Sequence, residues 1–159
     1  MGEIIKATVR DERGIPVWEY EVRKDWTYRG RRCVILWVRD HYCAYVETKL
    51  KGIEYTHNFG DYDTSPDSNI ECHGGVTFSG KLEGLQDDNW YFGMDFAHFG
   101  DYLPNVCLSS YTGKKWKLQE VVEEAERMCD SIIEYEEKFD KIKLLHEQYR
   151  QKINEILSK

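Results

Sequence analysis

Hydrophobic and polar residues alternate along the first hundred positions and then change period. Residues 3–10 alternate enough to predict a strand. In 17–23, VWEYEVR, Trp18, Tyr20 and Val22 stand against Glu19, Glu21 and Arg23, the pattern of a strand with one buried face. ERGIP between them is turn material, so these two strands are expected to form a hairpin. RCVILWVRD, 32–40, is almost uninterrupted β-branched and aromatic sequence and predicts a central strand. YCAYVET, 42–48, follows with almost no gap and should pair with it. Residues 49–70 read as a loop, rich in Gly, Asp, Ser, Asn and Pro. GVTFSG, 75–80, and WYFGMDFA, 90–97, predict two further strands joined by LEGLQDDN. The short connections make the sheet of about six strands mostly antiparallel.

From about Lys115 the period becomes helical. No Gly or Pro occurs after Gly113, and Leu118, Val122, Ala125, Cys129 and Ile132 fall at alternating steps of four and three. After Glu136 the stripe resumes at Phe139, Ile142, Leu145, Tyr149, Ile153 and Ile156. One helix of this length would run roughly 60 Å at 1.5 Å per residue, about twice the ~30 Å of a domain this size. Two outcomes follow: a break near 136–140 with a helical hairpin folded on its own sheet, or a far half that pairs with another subunit. The expected fold is therefore α+β, with a β-rich domain over 1–114 and a helical packing or oligomerising segment over 115–159.

Composition narrows the class. The formal net charge of −7 argues against nucleic acid as a partner. RKDWTYRGRR, 23–32, holds five basic residues and one acid, interleaved with Trp26 and Tyr28, and reads as a solvated hairpin edge. No apolar run approaches the ~18 residues of a membrane span, and the N-terminus has no signal-peptide pattern. The five cysteines are odd in number and form no CxxC pair, which predicts reduced thiols and a cytoplasmic location. Asp61, Asp63 and Asp67 have roughly the spacing of a calcium loop, but its glycine and its closing glutamate are missing.

Two segments carry candidate chemistry. ECHGGVTFSG, 71–80, sets His73 against Gly74-Gly75, whose backbone could form an anion nest, with Thr77 and Ser79 on one strand face as hydroxyl donors. MDFAHFGD, 94–101, sets Asp95 at a strand end and His98 and Asp101 on a turn that Gly100 lets bend sharply. Asp95, His98 and Asp101, with His73 as a fourth ligand, are a candidate first shell for a divalent metal. Without a metal, an Asp–His pair is a general base with its orienting partner. Cys72 lacks a flanking base and reads as a packing residue. The aromatics Trp90, Tyr91, Phe92, Phe96 and Phe99 are mostly core, though some are placed to stack a planar ring.

The two segments together resemble a family of small uncharacterised bacterial and phage proteins with an HGG-x-T-[YF]-SG block followed by W-x-x-GFD-x-AH-x-GD. Upstream, CVILWVRDHYCAYVET is similar to the family's GH-x-CGYV block and adds His41. The likeness covers roughly 26–112, and the polar positions His41, His73, Asp95, His98 and Asp101 all fit. Asp40, Ala44, Met94, Phe96 and Phe99 depart from the pattern. The resemblance implies a shared site and a phage setting, and no reaction. Three readings follow. The first is a phage-type accessory protein that binds a small polar, nucleotide-like ligand through His41, His73, Gly74, Gly75, Thr77, Asp95, His98 and Asp101, sequestering a host defence signal. Its cations would come from Arg29, Arg31 or Arg32. The second is a hydrolase whose metal is held by His73, Asp95, His98 and Asp101, with Asp61 or Asp63 as base. The third is an interaction module that inhibits a host protein, with the Asp and His residues as a structural turn network.

Overall fold

The computed structural model describes residues 6–10, 13, 16–58, 64–98, 100–103 and 113–159, with the side chains of 6–10, 16–19 and 83 left aside. Five strands, β2 (Pro16–Tyr28), β3 (Arg31–Val38), β4 (His41–Thr48), β5 (Phe78–Gly80) and β6 (Trp90–Asp95), make an antiparallel sheet, and β1 (Lys6–Arg10) pairs with β2 at one edge. The order is β1-β2-β3-β4-β6-β5. A four-residue helix α1 (Pro66–Asn69) lies in the long connection, and α2 (Leu118–Leu157) closes the chain as one unbroken helix of 40 residues. This is the α+β class expected. The helical hairpin does not form, because no Gly or Pro interrupts the helix and the glutamate that seemed to break the stripe has a buried partner, Arg31.

β3 reads as a continuous apolar run because both of its faces are covered. Cys33 and Ile35 face α2 with Ala44, Val46, Phe92 and Met94. Val34 and Leu36 face the other way, under Tyr20, Tyr45, Leu82 and Tyr91. β2 is longer than expected because its two ends serve different partners, β1 first and then β3. The register slips at Arg23, between the Val22–Leu36 and Lys24–Ile35 pairs. One extra residue in a strand turns every later side chain to the opposite face. Tyr20 and Val22 therefore join the outer cluster, while Trp26 and Tyr28, also at even positions, pack toward α2.

The basic run is a solvated edge only in part, with Arg23 and Arg29 exposed and Arg31 buried. Arg31 is 6% exposed and meets Glu136 of α2 with two bonds of 2.6 Å. Thr48 Oγ1 and the Lys49 amide also donate to Glu136 Oε1, at 2.8 and 3.0 Å. Arg29 pairs with Asp130 at 2.8 Å, and Arg32 with Asp25 and Asp87 at 2.6 and 2.7 Å. α2 is held against the sheet from Val121 to Phe139. Beyond Ile142, which is half-buried, its apolar side chains are exposed, Leu145 at 63% and Tyr149 at 66%. Among the described residues no helix is long and apolar enough to cross a membrane.

Candidate functional site

The site grows from the ends of β4 and β6 and from the segment that leads into α2. β6 ends at Asp95, and the chain turns at 98–101, closed by the Asp101 amide donating to His98 O at 2.9 Å, with Gly100 at φ +97°. The segment Lys114–Trp116 is laid beside this turn. Lys114 N donates to Gly100 O at 2.8 Å, and Tyr102 N to Lys114 O at 2.9 Å. Gly113 is needed here, since a Cβ would overlap the Asp101 backbone.

Asp101 is the hub. It is 2% exposed. His73 Nε2 lies 3.0 and 2.9 Å from its two oxygens, Trp116 Nε1 donates to Oδ1 at 2.8 Å, and the His98 amide to Oδ2 at 2.9 Å. Burial pushes the Asp101 carboxyl up, but the bonds from His73, His98 and Trp116 outweigh it and hold it below the usual carboxylate range. The His73 ring stacks on Phe96 at 4.7 Å between centroids and meets the Trp116 ring at 4.8 Å.

Asp95 and His98 form a second pair. His98 Nε2 lies 3.0 Å from Asp95 Oδ1 but out of line for a hydrogen bond, so the nitrogen is buried without a hydrogen-bond partner. Asp95 also accepts from Thr77 Oγ1 at 3.2 Å and from the Ala97 amide at 3.1 Å. The expected set of His73, Asp95, His98 and Asp101 is thus adjacent, with the two imidazole centroids 5.8 Å apart, but it is divided into a His73–Asp101 pair and a His98–Asp95 pair. Among the described residues no group of three or more His, Cys, Asp or Glu side chains is placed to hold a metal ion. Asp61, Asp63, Phe99 and Cys107 lie outside the described residues. Asp67 lies in α1, where its amide bonds to Tyr55 O at 2.9 Å.

Gly74 serves packing, and Gly75 serves the turn. Gly74 has φ +68°, and its missing Cβ leaves room for the His98 ring, whose Cδ2 and Nε2 would otherwise be overlapped. Gly75 has φ +85° with open space around it, and its amide is used by Cys72 O at 3.1 Å, closing the turn. Strand β5 starts only at Phe78, because residues 72–75 turn. Ser79 Oγ donates to Glu54 at 2.8 Å, so both hydroxyls of the expected pair are engaged by carboxylates of the chain. Burial raises the Cys72 thiol to about 12, against a lowering bond to the Gly75 backbone, which suits an inert packing residue.

Two glycines at positive φ permit a direct comparison. Gly74→Ala is expected to destabilise by about 2–3 kcal/mol, combining left-handed strain with displacement of the His98 ring. Gly75→Ala carries the strain alone, about 1–2 kcal/mol. Urea midpoints of the two variants measure the difference, and equal losses would show that the His98 contact contributes nothing.

Beside the hub lies a cavity of about 250 Å³, lined by Trp37, Asp40, His41, Tyr42, Phe96, Tyr102, Lys114, Lys115 and Trp116. Of the expected ligand residues only His41 lines it, 3.0 Å from Asp40. Lys114 Nζ lies 3.9 Å from the Trp116 ring centroid and Lys115 Nζ 4.6 Å from that of Tyr102. Lys114 also pairs with Glu120 at 2.9 Å. Arg29, Arg31 and Arg32, expected as cations for an anionic ligand, are engaged by carboxylates elsewhere. The lysines and Trp116 were missed because KKWK precedes the helix and looks like a charged helix start. An aromatic residue interleaved with cations, adjoining a glycine, was the available signal.

An antiparallel sheet carrying one long helix defines an α+β domain, with an aromatic and cationic cavity at its strand ends. The chain matches no family model, no curated protein and no solved structure.

Proposed function

We propose that the protein binds a small, planar, negatively charged ligand of nucleotide type in the Trp37–Trp116 cavity. The observation that carries this reading is the wall itself: five aromatic side chains enclose the space, and two lysines line it. Stacking on aromatic faces is worth ~1–3 kcal/mol per base and tolerates any planar ring. The cavity is smaller than the roughly 300–1,000 Å³ of sites that enclose drug-sized ligands. It suits one ring held inside, with its phosphate outside on the lysines. Lys115 has no carboxylate within ion-pair distance among the described residues, so its charge is available. Asp40 offers an acceptor for an exocyclic amine or a sugar hydroxyl. Within the hub, Asp101 and His73 position the wall and do not line the cavity, while Trp116 is part of the wall itself. In the phage setting that the motif resemblance implies, such binding would sequester a host signal. The metal-hydrolase reading needs ligands gathered round one point, and the division into two His–Asp pairs favours the binder.

Calorimetric titration with nucleoside monophosphates and cyclic dinucleotides is the test. Saturable binding is expected, roughly tenfold weaker in Lys115→Ala, a change of about 1.4 kcal/mol. The matching nucleoside without phosphate should bind wild type and variant alike. No heat from any of these compounds at about 1 mM, or equal affinity of wild type and Lys115→Ala for the nucleotide, would reject the reading.

A further inference from the structure

We infer that the exposed half of α2 pairs with the same segment of a second copy, antiparallel, about a two-fold axis at Tyr149. The inference is independent of the cavity and of its ligand. After Phe139 the helix runs on for 18 residues to Leu157, about 27 Å at 1.5 Å per residue. In proteins a helix gains most of its stability from packing an apolar face rather than from propensity.

That face is present. Ile142, Leu145, Tyr149, Ile153 and Ile156 continue Tyr135 and Phe139 at an average step of about 3.5, the period of a two-helix seam. Leu145, Tyr149 and Ile156 are 63%, 66% and 68% exposed and Ile153 37%. Leu144 and Leu157 lie outside the stripe.

The charges beside the stripe choose both occupant and direction. Cations occur at two levels along the axis, Lys141 with Lys143 and Arg150 with Lys152, and acids at Glu147 and Glu155. Antiparallel pairing about Tyr149 sets Ile142 opposite Ile156 and Leu145 opposite Ile153. It also places Lys143 level with Glu155 and puts Glu147 between Arg150 and Lys152 of the other copy. Parallel pairing in register would set each cationic level against itself, and like charges facing across a helix pair repel. The segment is therefore complementary to its own reverse.

The test uses the full chain. Light scattering behind a sizing column at about 100 µM should give the mass of two chains, since association follows concentration. Tyr149→Glu should give the mass of one chain that still unfolds cooperatively, with a thermal midpoint that no longer rises with protein concentration as the wild type's does. For direction, Ile142→Cys/Ile156→Cys should form a disulfide-linked dimer under mild air oxidation, while either single variant should not. A wild type that stays one chain, a Tyr149→Glu protein that still pairs, or self-crosslinking of the single Ile142→Cys variant overturns the inference. So does a single-chain wild type that sediments with phosphatidylserine vesicles, which would assign the face to an anionic membrane surface.

Discussion

Glu136→Ala is expected to destabilise the protein by about 3–5 kcal/mol, the cost of leaving a buried charge without its partner. In a chain of this size that lowers the thermal midpoint by roughly 6–20 °C. The reason is local. Arg31 stays 6% exposed, and the Thr48 hydroxyl and the Lys49 amide lose their common acceptor. Arg31→Met/Glu136→Leu removes both charges together and should cost much less than Glu136→Ala, since an apolar pair of similar volume replaces a buried ion pair at little cost. Thermal melts of the three proteins at pH 7 decide the matter, and a double variant as unstable as Glu136→Ala would sink the account. The pH dependence has a definite sign. Burial raises the Glu136 carboxyl, but Arg31, the Lys49 amide and Thr48 together hold it below the usual value. The unfolded chain then takes up the proton first. The stabilisation is whole above the unfolded value near ~4.3 and is lost as pH falls through the lower folded one.

Asp101→Ala is the second large effect, about 3 kcal/mol, from orphaning buried donors at His73, Trp116 and the His98 amide. Asp101→Asn keeps one acceptor oxygen and should lose about half of that. Nucleotide affinity should fall about tenfold or more in Asp101→Ala, because Trp116 loses the bond that sets its ring in the cavity wall. Phe96 and the Lys114 ammonium, which pack on that ring, should shift with it. Urea denaturation and the same calorimetric titration read both effects. The stability gap between wild type and Asp101→Ala should close on acidification below about pH 4, since the folded carboxyl titrates below its unfolded value of ~3.9. A gap that holds constant from pH 7 to 3, or unchanged nucleotide affinity, would show that Asp101 does not organise the wall.

Much of the architecture was legible from local pattern. β3 and β4 stood out because their apolar residues are continuous and β-branched, and the short turn between them left antiparallel pairing as the arrangement. The helix was legible because its stripe has a helical period over many turns. Gly100 marked a positive φ correctly because a turn needs one at that point. What Gly74 does in the fold was not legible from the glycine pair. A glycine pair that admits a ligand and one that admits a histidine ring look alike until His98 is seen against it. The metal set failed for a related reason. Spacing put four donors near one another but could not tell a shared point from two pairs.

Period and residue type, then, were enough for the strands and the helical segment, and for most of their boundaries, though not for the far end of β2 or the continuity of the helix, since the former depend on neighbours in the chain. The slip at Arg23, the Arg31–Glu136 anchor spanning 105 positions, the hub at Asp101 and the Lys115–Trp116 wall depend on which distant segments meet. A glutamate on an apolar stripe reads as an interruption in one dimension. It becomes the anchor of the helix once a buried arginine stands opposite, because a charge away from water is tolerated only where a partner and hydrogen bonds replace the solvent.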